Sequence, residues 1–341
     1  MHSSTSSSRR RGWLSYLALA ALLSVIALAA VEVWLRHYGA EPSLRNSNEN
    51  WAYIRHQLEQ EQSAEAIALL GASRVQNGLD HRAIGESYPG WPIYNLSYAG
   101  KGPRPTIKDI ADNSGFRGTV IVSIIPAWII PGHVYDGQVQ LVDYYHNSWN
   151  WARLVDTWAS RQMNGTFAFK FHQYSLLTVA RNFLKTGRPF EHPVYVLQTP
   201  SRELFSRFEY AKLDGLRAQR VRAYTGNLTG TQPDPETWQQ YVAAFSESLN
   251  KIVARGGKVV VIRMPTNGPV YAIEQETFPR KLYWDTMAAA LDVPTLHFED
   301  APELTGWDLP DYSHLTHENR DDFTRLLFAR LQKMGAIPPP Q

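Results

Sequence analysis

Residues 66–74 read Ala-Ile-Ala-Leu-Leu-Gly-Ala-Ser-Arg, an apolar run that stops at Gly71 and is followed by Ser73 and Arg74. Such a run predicts a buried strand that ends in a tight turn. In an open α/β sheet, sites form just beyond the carboxyl ends of the strands. Ser73 is therefore a candidate nucleophile. The alternative is a serine that only caps the following helix, because strand-Gly-x-Ser turns occur there too.

Other apolar segments repeat this pattern and alternate with helical patterns. Besides the Ser73 strand, strands are predicted at 92–100, 119–126, 258–265 and 295–298, and helices at 51–62, 80–88, 106–113, 235–255, 274–291 and 316–334. Strands separated by helices favour a parallel sheet. The chain is therefore predicted to be an α/β protein with a mostly parallel, five-stranded sheet.

The α/β pattern is interrupted between residues 133 and 233, a segment that is rich in aromatic residues and leans basic. A plain loop of about one hundred residues is uncommon in a compact domain. We therefore expect a largely helical insertion that divides the α/β domain into 51–132 and 234–334. Its aromatic rings could stack on sugar faces, although aromatic stripes more often form core.

The N-terminal segment differs in kind from the rest of the chain. Arg9, Arg10 and Arg11 precede an apolar run of nineteen uncharged residues, 13–31. A run of that length is about sufficient to cross a bilayer. It predicts a transmembrane anchor at 13–35 that follows a basic N-terminus at 1–12. A cleaved signal peptide is the alternative, but the run is longer than a typical signal core.

The charges around this anchor predict its orientation. Three arginines before the run place the N-terminus in the cytoplasm by the positive-inside rule. We therefore expect a single-pass protein of the inner membrane, with the C-terminal domain in the periplasm or outside the cell. Residues 36–50 form a tether in this interpretation, and 335–341 form a Pro-rich tail.

Composition excludes several classes of function. The net charge is +2, and without the three leader arginines it is −1, so no nucleic-acid surface is predicted. The chain has no cysteine, which excludes disulfides and thiolate chemistry. It also has no glycine-rich phosphate-binding motif, and we expect no nucleotide or other cofactor.

A base and an acid for Ser73 stand between the last predicted strand and the last helix, at Asp311 and His314. A serine needs a base to attack an ester, and the base needs an acid that orients it. Asp143 and His146 have the same spacing, but only the Asp311 pair follows a predicted sheet strand. Two histidine groups could also suggest a metal, His314 with His317 and His297 with Glu299 and Asp300. The His314–His317 pair lacks a clear third ligand, and no metal is predicted.

These motifs together resemble the SGNH (GDSL-like) hydrolase superfamily. The resemblance rests on Gly71-Ala72-Ser73-Arg74, on the glycine that ends 94–100, and on Asp311-x-x-His314. It implies a flavodoxin-like, three-layer α/β/α fold in which Ser73 is the nucleophile, His314 the base and Asp311 the orienting acid. It also implies that the backbone N–H groups of Ser73 and Gly100 form the oxyanion hole, with Gly102 as the alternative glycine.

One block of the family is missing. Where the family has Gly-x-Asn-Asp after the third strand, this chain has Ile-Ile-Pro-Ala-Trp at 124–128. We expect either that the backbone of Trp128, Asn267 or a partner replaces the lost donor, or that activity is low. Arg74 could hold an anionic sugar or a polymer phosphate, or it could form a salt bridge within the fold.

A membrane-anchored chain without that block is similar to the envelope acyl-transfer branch of the superfamily, which includes the alginate O-acetylation and D-alanine transfer proteins. That similarity implies a serine acyltransferase or esterase that acts on O-acyl groups of a cell-envelope polysaccharide. Its partners would be the polymer or an acyl donor, and a multispanning membrane acyltransferase. The alternative is a non-catalytic scaffold that binds polymer or assists such an acyltransferase.

Overall fold

The computed structural model describes residues 7–339, with side chains described from Trp13 onward. The predicted basic N-terminus at 1–12 and the Pro-rich tail at 335–341 therefore lie partly outside the described residues. Within residues 7–339 the chain forms seven strands: β1 Ile67–Leu70, β2 Ile93–Asn95, β3 Thr119–Ser123, β4 Val196–Gln198, β5 Leu204–Ser206, β6 Lys258–Arg263 and β7 Thr295–His297.

Five of these strands form one parallel sheet in the order β2-β1-β3-β6-β7. In the chain order of its own strands this is 2-1-3-4-5, the flavodoxin-like order. The predicted α/β class with a mostly parallel, five-stranded sheet is therefore confirmed. The strands β4 and β5 form a separate antiparallel pair.

Thirteen α-helices accompany the strands in the described part of the chain. They are α1 Ser7–His37, α2 Asn48–Glu59, α3 Ser73–Gly78, α4 His81–Ser87, α5 Arg104–Asn113, α6 Val139–Asn147, α7 Trp151–Thr166, α8 Leu176–Thr186, α9 Leu213–Leu228, α10 Pro235–Ala254, α11 Gly268–Thr277, α12 Arg280–Ala290 and α13 Arg320–Lys333. Asp234 caps α10 by accepting the N–H groups of Glu236 and Thr237, as the Asp-Pro start of that helix predicts.

Two apolar cores cover the two faces of the sheet. Alternate residues of β1 contribute to them, with Ala68 and Leu70 in the core that includes α2 and α10, and Ile67 and Leu69 in the core that includes α4 and α13. Side chains alternate between the faces of a strand. Both faces of the sheet are thus buried, which explains why its strands read as continuous apolar runs.

Three predicted elements differ from the structure. The strand expected over 92–100 ends at Asn95, because the Asn95 side chain accepts the Ser97 N–H and the chain leaves the sheet. The helix expected over 274–291 is two helices, α11 and α12, and Pro279 separates them. The segment 133–233 is largely helical, with α6 to α9, but it also contains the β4–β5 pair, which was not expected.

The chain divides into two compact units. One comprises the residues up to Ser43 together with Gln162–Val194, and the other comprises Leu44–Arg161 with Tyr195 to the C-terminus. The first unit contains α1, in which Trp13–His37 is long and apolar enough to cross a membrane. A signal sequence satisfies the same criteria. The second unit contains the sheet and every candidate site residue.

Candidate active site

The turn after β1 brings Ser73 to the carboxyl edge of the sheet. The turn depends on Gly71, because a Cβ at that position would lie 2.5 Å from Val75 Cγ2 and 3.3 Å from the Ser123 carbonyl oxygen. Ser73 is the first residue of α3, and its side chain is partly exposed. A small residue at 71 thus allows α3, which begins at the candidate nucleophile Ser73, to start directly against β3.

Ser73, His314 and Asp311 form a continuous chain of hydrogen bonds. Ser73 Oγ lies 2.8 Å from His314 Nε2, and His314 Nδ1 lies 2.8 Å from Asp311 Oδ2. Asp311 Oδ1 accepts the backbone N–H groups of Ser313 and His314, which fixes the carboxylate. Because the carboxylate only accepts, Nδ1 carries the proton and Nε2 is the free acceptor toward the Ser73 hydroxyl.

Electrostatics keep this histidine neutral and this aspartate ionised. Burial lowers the pKa of His314; Asp311 opposes this effect, and Arg220 and Arg74 lower the pKa further. Burial alone would raise the pKa of Asp311, but the charges and hydrogen bonds of His314 and Arg220 hold that pKa well below its usual range. A neutral imidazole beside an ionised carboxylate is the resting state of a general base.

Tyr312, between the acid and the base, has a left-handed backbone with a φ of 69°. A tyrosine in this region is strained, at a cost of about 1–3 kcal/mol that the surroundings must offset. Its carbonyl oxygen accepts the Asn267 N–H over 3.1 Å, and the Arg217 guanidinium lies 5.4 Å from its ring centroid. These contacts hold the loop in the conformation that aims Asp311 at the histidine ring.

Helix α9, from the segment between the two parts of the α/β pattern, covers this loop. Arg217 Nε donates to the Pro310 carbonyl over 2.7 Å, Arg220 Nη2 donates to Asp311 Oδ2 over 2.9 Å, and the Tyr224 hydroxyl accepts from Arg74 Nη2 over 2.7 Å. Residues three, four and seven apart share one face of a helix. The sequence contains this spacing, but no known motif marks it, and Arg220 was not predicted as a site residue.

Arg74 forms a buried ion pair with Glu274. Its side chain is buried, and it donates to Glu274 Oε1 over 2.7 Å and to the Ser313 hydroxyl over 3.1 Å. Glu274 also binds Arg263 and Thr266. Burial alone would raise the pKa of Glu274, but the two arginines hold it below the usual value. The sequence left open whether Arg74 binds an anionic ligand or forms a salt bridge within the fold, and in the structure it forms the salt bridge.

The expected oxyanion donors lie in two neighbouring loops. The Tyr98 N–H donates to the Gly71 carbonyl over 3.1 Å, which joins the loop after β2 to the nucleophile turn. Gly100 follows in a tight turn with a φ of 75°. Within residues 7–339 the N–H groups of Ser73 and Gly100 donate to no protein acceptor. The Gly102 N–H donates to the Tyr135 carbonyl, so Gly100 is the freer of the two glycines.

The two expected substitutes for the missing donor differ in availability. The Trp128 N–H donates to the Ile125 carbonyl over 2.9 Å, so it is occupied, although the Trp128 indole N–H is buried without a partner among the described residues. Asn267 lies at the start of α11, beside the Tyr312 carbonyl. Its side-chain amide makes no hydrogen bond to any residue that the structure describes, and its oxygen atom is buried. Of these two residues, Asn267 has the unused side-chain amide.

The rival Asp143–His146 pair does not form a dyad. His146 Nε2 lies 2.5 Å from Asp109 Oδ1, and Asp143 accepts from Asn147 over 2.7 Å. Among the groups considered for metal binding, His314 uses both ring nitrogens in the contacts with Ser73 and Asp311. His317 lies near the exposed carboxylates of Glu209 and Glu318, with their ligand atoms within 4.8 Å of one another.

Comparisons were made with protein families, curated proteins and solved structures. No protein-family model matches the chain, and no curated protein matches it. Among solved structures, that of TesA is similar at 11% sequence identity, with a TM-score of 0.34. The match covers 79% of this chain and 99% of that chain.

Proposed function

We propose that this protein is a membrane-anchored serine acyltransferase or esterase of the SGNH type, which acts on O-acyl groups of a cell-envelope polysaccharide. The observation that carries the proposal is the hydrogen-bonded chain from Ser73 through His314 to Asp311. The sequence pattern alone indicates these three residues, although the nucleophile and the base stand 241 positions apart in the chain. A serine within hydrogen-bond reach of a base that an acid orients is the usual signature of an activated nucleophile.

The proposed reaction has two steps, the acylation of Ser73 and the deacylation of Ser73. Ser73 Oγ attacks the ester carbonyl and gives its proton to His314 Nε2, and the resulting oxyanion accepts the N–H groups of Ser73 and Gly100. The bond from the acyl carbon to the leaving oxygen breaks, and His314 returns the proton to that oxygen. His314 then takes a proton from a sugar hydroxyl or from water, which attacks the acyl-Ser73 ester. The bond between the acyl carbon and Ser73 Oγ then breaks, and His314 gives that proton to Ser73 Oγ.

The unused amide of Asn267 is the third donor in this mechanism. Loss of one oxyanion donor typically costs a factor of about 10²–10³ in rate. Asn267 belongs to the loop that follows β6 and contacts the Tyr312 carbonyl through its own N–H. This position supports a donor that comes from a different strand than in the family pattern.

The proposed location rests on α1. Its apolar part, Trp13–His37, lies next to the leader arginines, and in our proposal it spans the inner membrane once and leaves the sheet on the outer side. Envelope polysaccharides are on that side of the membrane, and so is the active centre of any multispanning acyltransferase that would pass an acyl group to Ser73. The polymer or acyl donor and such an acyltransferase are the proposed partners.

The test uses the full chain in detergent with 4-nitrophenyl acetate, and it follows both nitrophenol release and the intact protein mass. We expect an acetyl adduct in the wild type that is absent in Ser73→Ala. Ser63→Ala is the matched control, since Ser63 is an exposed serine outside the site. Candidate glycans added to the acylated protein then separate transfer from hydrolysis. Equal release by wild type and Ser73→Ala across several acyl donors would overturn the proposal.

The second candidate is a non-catalytic scaffold that binds polymer or assists an acyltransferase. One observation favours it. The Trp128 N–H already donates to the Ile125 carbonyl, so Trp128 offers no free backbone donor at the place where the family has its third oxyanion donor. A scaffold would bind polymer equally well in the wild type and in Ser73→Ala, and it would form no acyl adduct. The same experiment therefore separates the two candidates.

A further inference from the structure

Helix α8 exposes its apolar side instead of burying it. Leu176, Leu177 and Leu184 are 61%, 72% and 86% exposed. With Ala180 and Phe183 they are spaced at i, i+1, i+4, i+7 and i+8, which places them on one face of the helix. A helix of a soluble domain normally turns such a face toward the core.

The other side of α8 packs against its own unit. Val179 is buried, and the Asn182 amide donates to the Pro189 carbonyl over 3.0 Å. Gly187, with a φ of 70°, ends the helix by donating to the Phe183 carbonyl. The helix is therefore held firmly, and its exposed apolar face is not the result of a detached segment.

Basic residues border the apolar face. Arg181 and Lys185 lie on α8 next to the apolar face, beside Leu177 and Leu184. Lys170 precedes the helix in the sequence, and Arg188 follows it. A single acidic residue, at position 191, occurs in 167–192. A leucine face with a basic margin is typical of helices that lie in a membrane interface beside anionic lipid headgroups.

The segment that contains α8 contacts the C-terminal end of the apolar helix α1. Glu32 accepts the backbone N–H groups of Ala168 and Phe169, over 2.9 and 3.1 Å. The rings of Trp34 and Phe183 meet edge to face with centroids 5.7 Å apart. Glu32 follows directly after the uncharged run of 13–31. The α8 segment is thus held at the level where the chain would leave the hydrocarbon layer.

We propose that α8 lies in the outer headgroup layer of the membrane that α1 spans, with Leu176, Leu177, Phe183 and Leu184 immersed in lipid. The inference rests on the proposed spanning role of α1 and adds a second, interfacial contact with the bilayer. One helix across the membrane leaves a domain free to rotate and tilt. A second contact with the lipid removes that freedom and fixes the unit against the membrane surface.

The absence of cysteine allows a direct test by site-specific labelling. Leu184→Cys, Thr186→Cys and Leu22→Cys are made in the full chain, labelled with the fluorophore NBD and placed in bilayers of phosphatidylcholine and phosphatidylglycerol. Lipids with a doxyl quencher near the headgroup or deep in the acyl chain report the depth of each label. Thr186 is the matched control, because it is exposed on the other side of the same helix. Leu22 reports the insertion of α1.

We expect the shallow quencher to quench the label at 184 several-fold more than the label at 186, and the deep quencher to quench the label at 22. Quenching at 22 with equal, weak quenching at 184 and 186 overturns the interfacial position of α8 while the anchor stands. A label at 184 that is blue-shifted but not quenched also overturns it, because protein then covers the face. No quenching at any position overturns the anchor too. Acylation of Ser73 is measured separately, so its failure is independent of all these outcomes.

Discussion

Arg220 Nη2 lies 2.9 Å from Asp311 Oδ2 and 3.4 Å from His314 Nδ1. Asp311 Oδ2 therefore accepts hydrogen bonds from both His314 and the permanently charged Arg220. A cation beside the imidazole disfavours its protonation, and a cation beside the carboxylate weakens the carboxylate's ability to stabilise an imidazolium. Arg220 thus positions Asp311 and, in the proposed mechanism, tunes the pH range in which His314 is a base.

Arg220→Gln is expected to move the acid limb of the pH–rate profile to higher pH. Burial lowers the pKa of His314, and Arg220 adds to that effect, so removal of the guanidinium lets the pKa rise and protonates the base at a higher pH. The measurement is the rate of Ser73 acylation between acid and neutral pH. Arg222→Gln removes the same charge from an exposed position of α9 and should leave the profile in place. An unchanged profile in Arg220→Gln would contradict the tuning role.

Asn267→Ala is expected to lower the acylation rate by a factor of about 10²–10³ with little change in KM, because an oxyanion donor acts mainly in the transition state. The side chain makes no hydrogen bond to the described residues, so the melting temperature should stay close to that of the wild type. Pre-steady-state acylation and thermal unfolding are measured on the same preparations. A variant that raises KM without slowing acylation would instead indicate a substrate-binding amide.

Glu274→Gln is expected to destabilise the fold by about 3–5 kcal/mol, because it leaves the buried Arg74 and Arg263 without their shared counter-charge. Denaturant unfolding measures the loss. The two arginines hold the folded-state pKa of Glu274 below its usual value, so this contribution is complete above the unfolded-state pKa and is lost as the pH falls through the folded-state value. The gap between wild type and variant should therefore narrow in acid. Glu276→Gln, on the exposed side of α11, is the control and should be nearly neutral.

Gly71→Ala is expected to cost about 1–3 kcal/mol through overpacking, since the new methyl group would meet Val75 Cγ2 at 2.5 Å. Val75→Ala in the same chain should recover part of that loss, and a double-mutant cycle measures the coupling between the two sites. Gly85→Ala is the matched control, because no atom lies within 4 Å of the added carbon. Equal effects at positions 71 and 85 would show that the close approach of β1, β3 and α3 is not what requires glycine.

Sequence reasoning succeeded where a local pattern has a single physical interpretation. The strands β1, β3, β6 and β7 were predicted from apolar runs, because a parallel sheet with two covered faces leaves no polar alternation. The rule that places sites at the carboxyl ends of strands favours Asp311–His314 over Asp143–His146. In the structure His146 and Asp143 bind Asp109 and Asn147 instead of each other, and the catalytic role of Asp311 and His314 stays a prediction.

Two of the features that were not predicted depend on contacts between distant segments, and two others lie where the local sequence is ambiguous. Arg220 and Glu274 are residue types that usually lie at the surface, and their partners here lie 91 and 200 positions away. Pro279 indicates a break between α11 and α12. The apolar residues on both sides of Pro279 have helical spacing, however, and they favoured one continuous helix. The short β4–β5 pair lies in a segment without alternation, where neither helix nor strand periodicity decides the structure.

The left-handed backbone at Tyr312 bears on the temperature dependence of the proposed acylation of Ser73. Tyr312, one of the two residues between Asp311 and His314, could relax only by leaving its contacts with Asn267 and Arg217. In the proposed reaction, the conformational freedom of Asp311 and His314 is therefore lost once, when the chain folds, and not again in each turnover. We expect the activation entropy of acylation to be small in this protein and to become more negative in Tyr312→Gly, in which the loop gains freedom that every reaction cycle must remove.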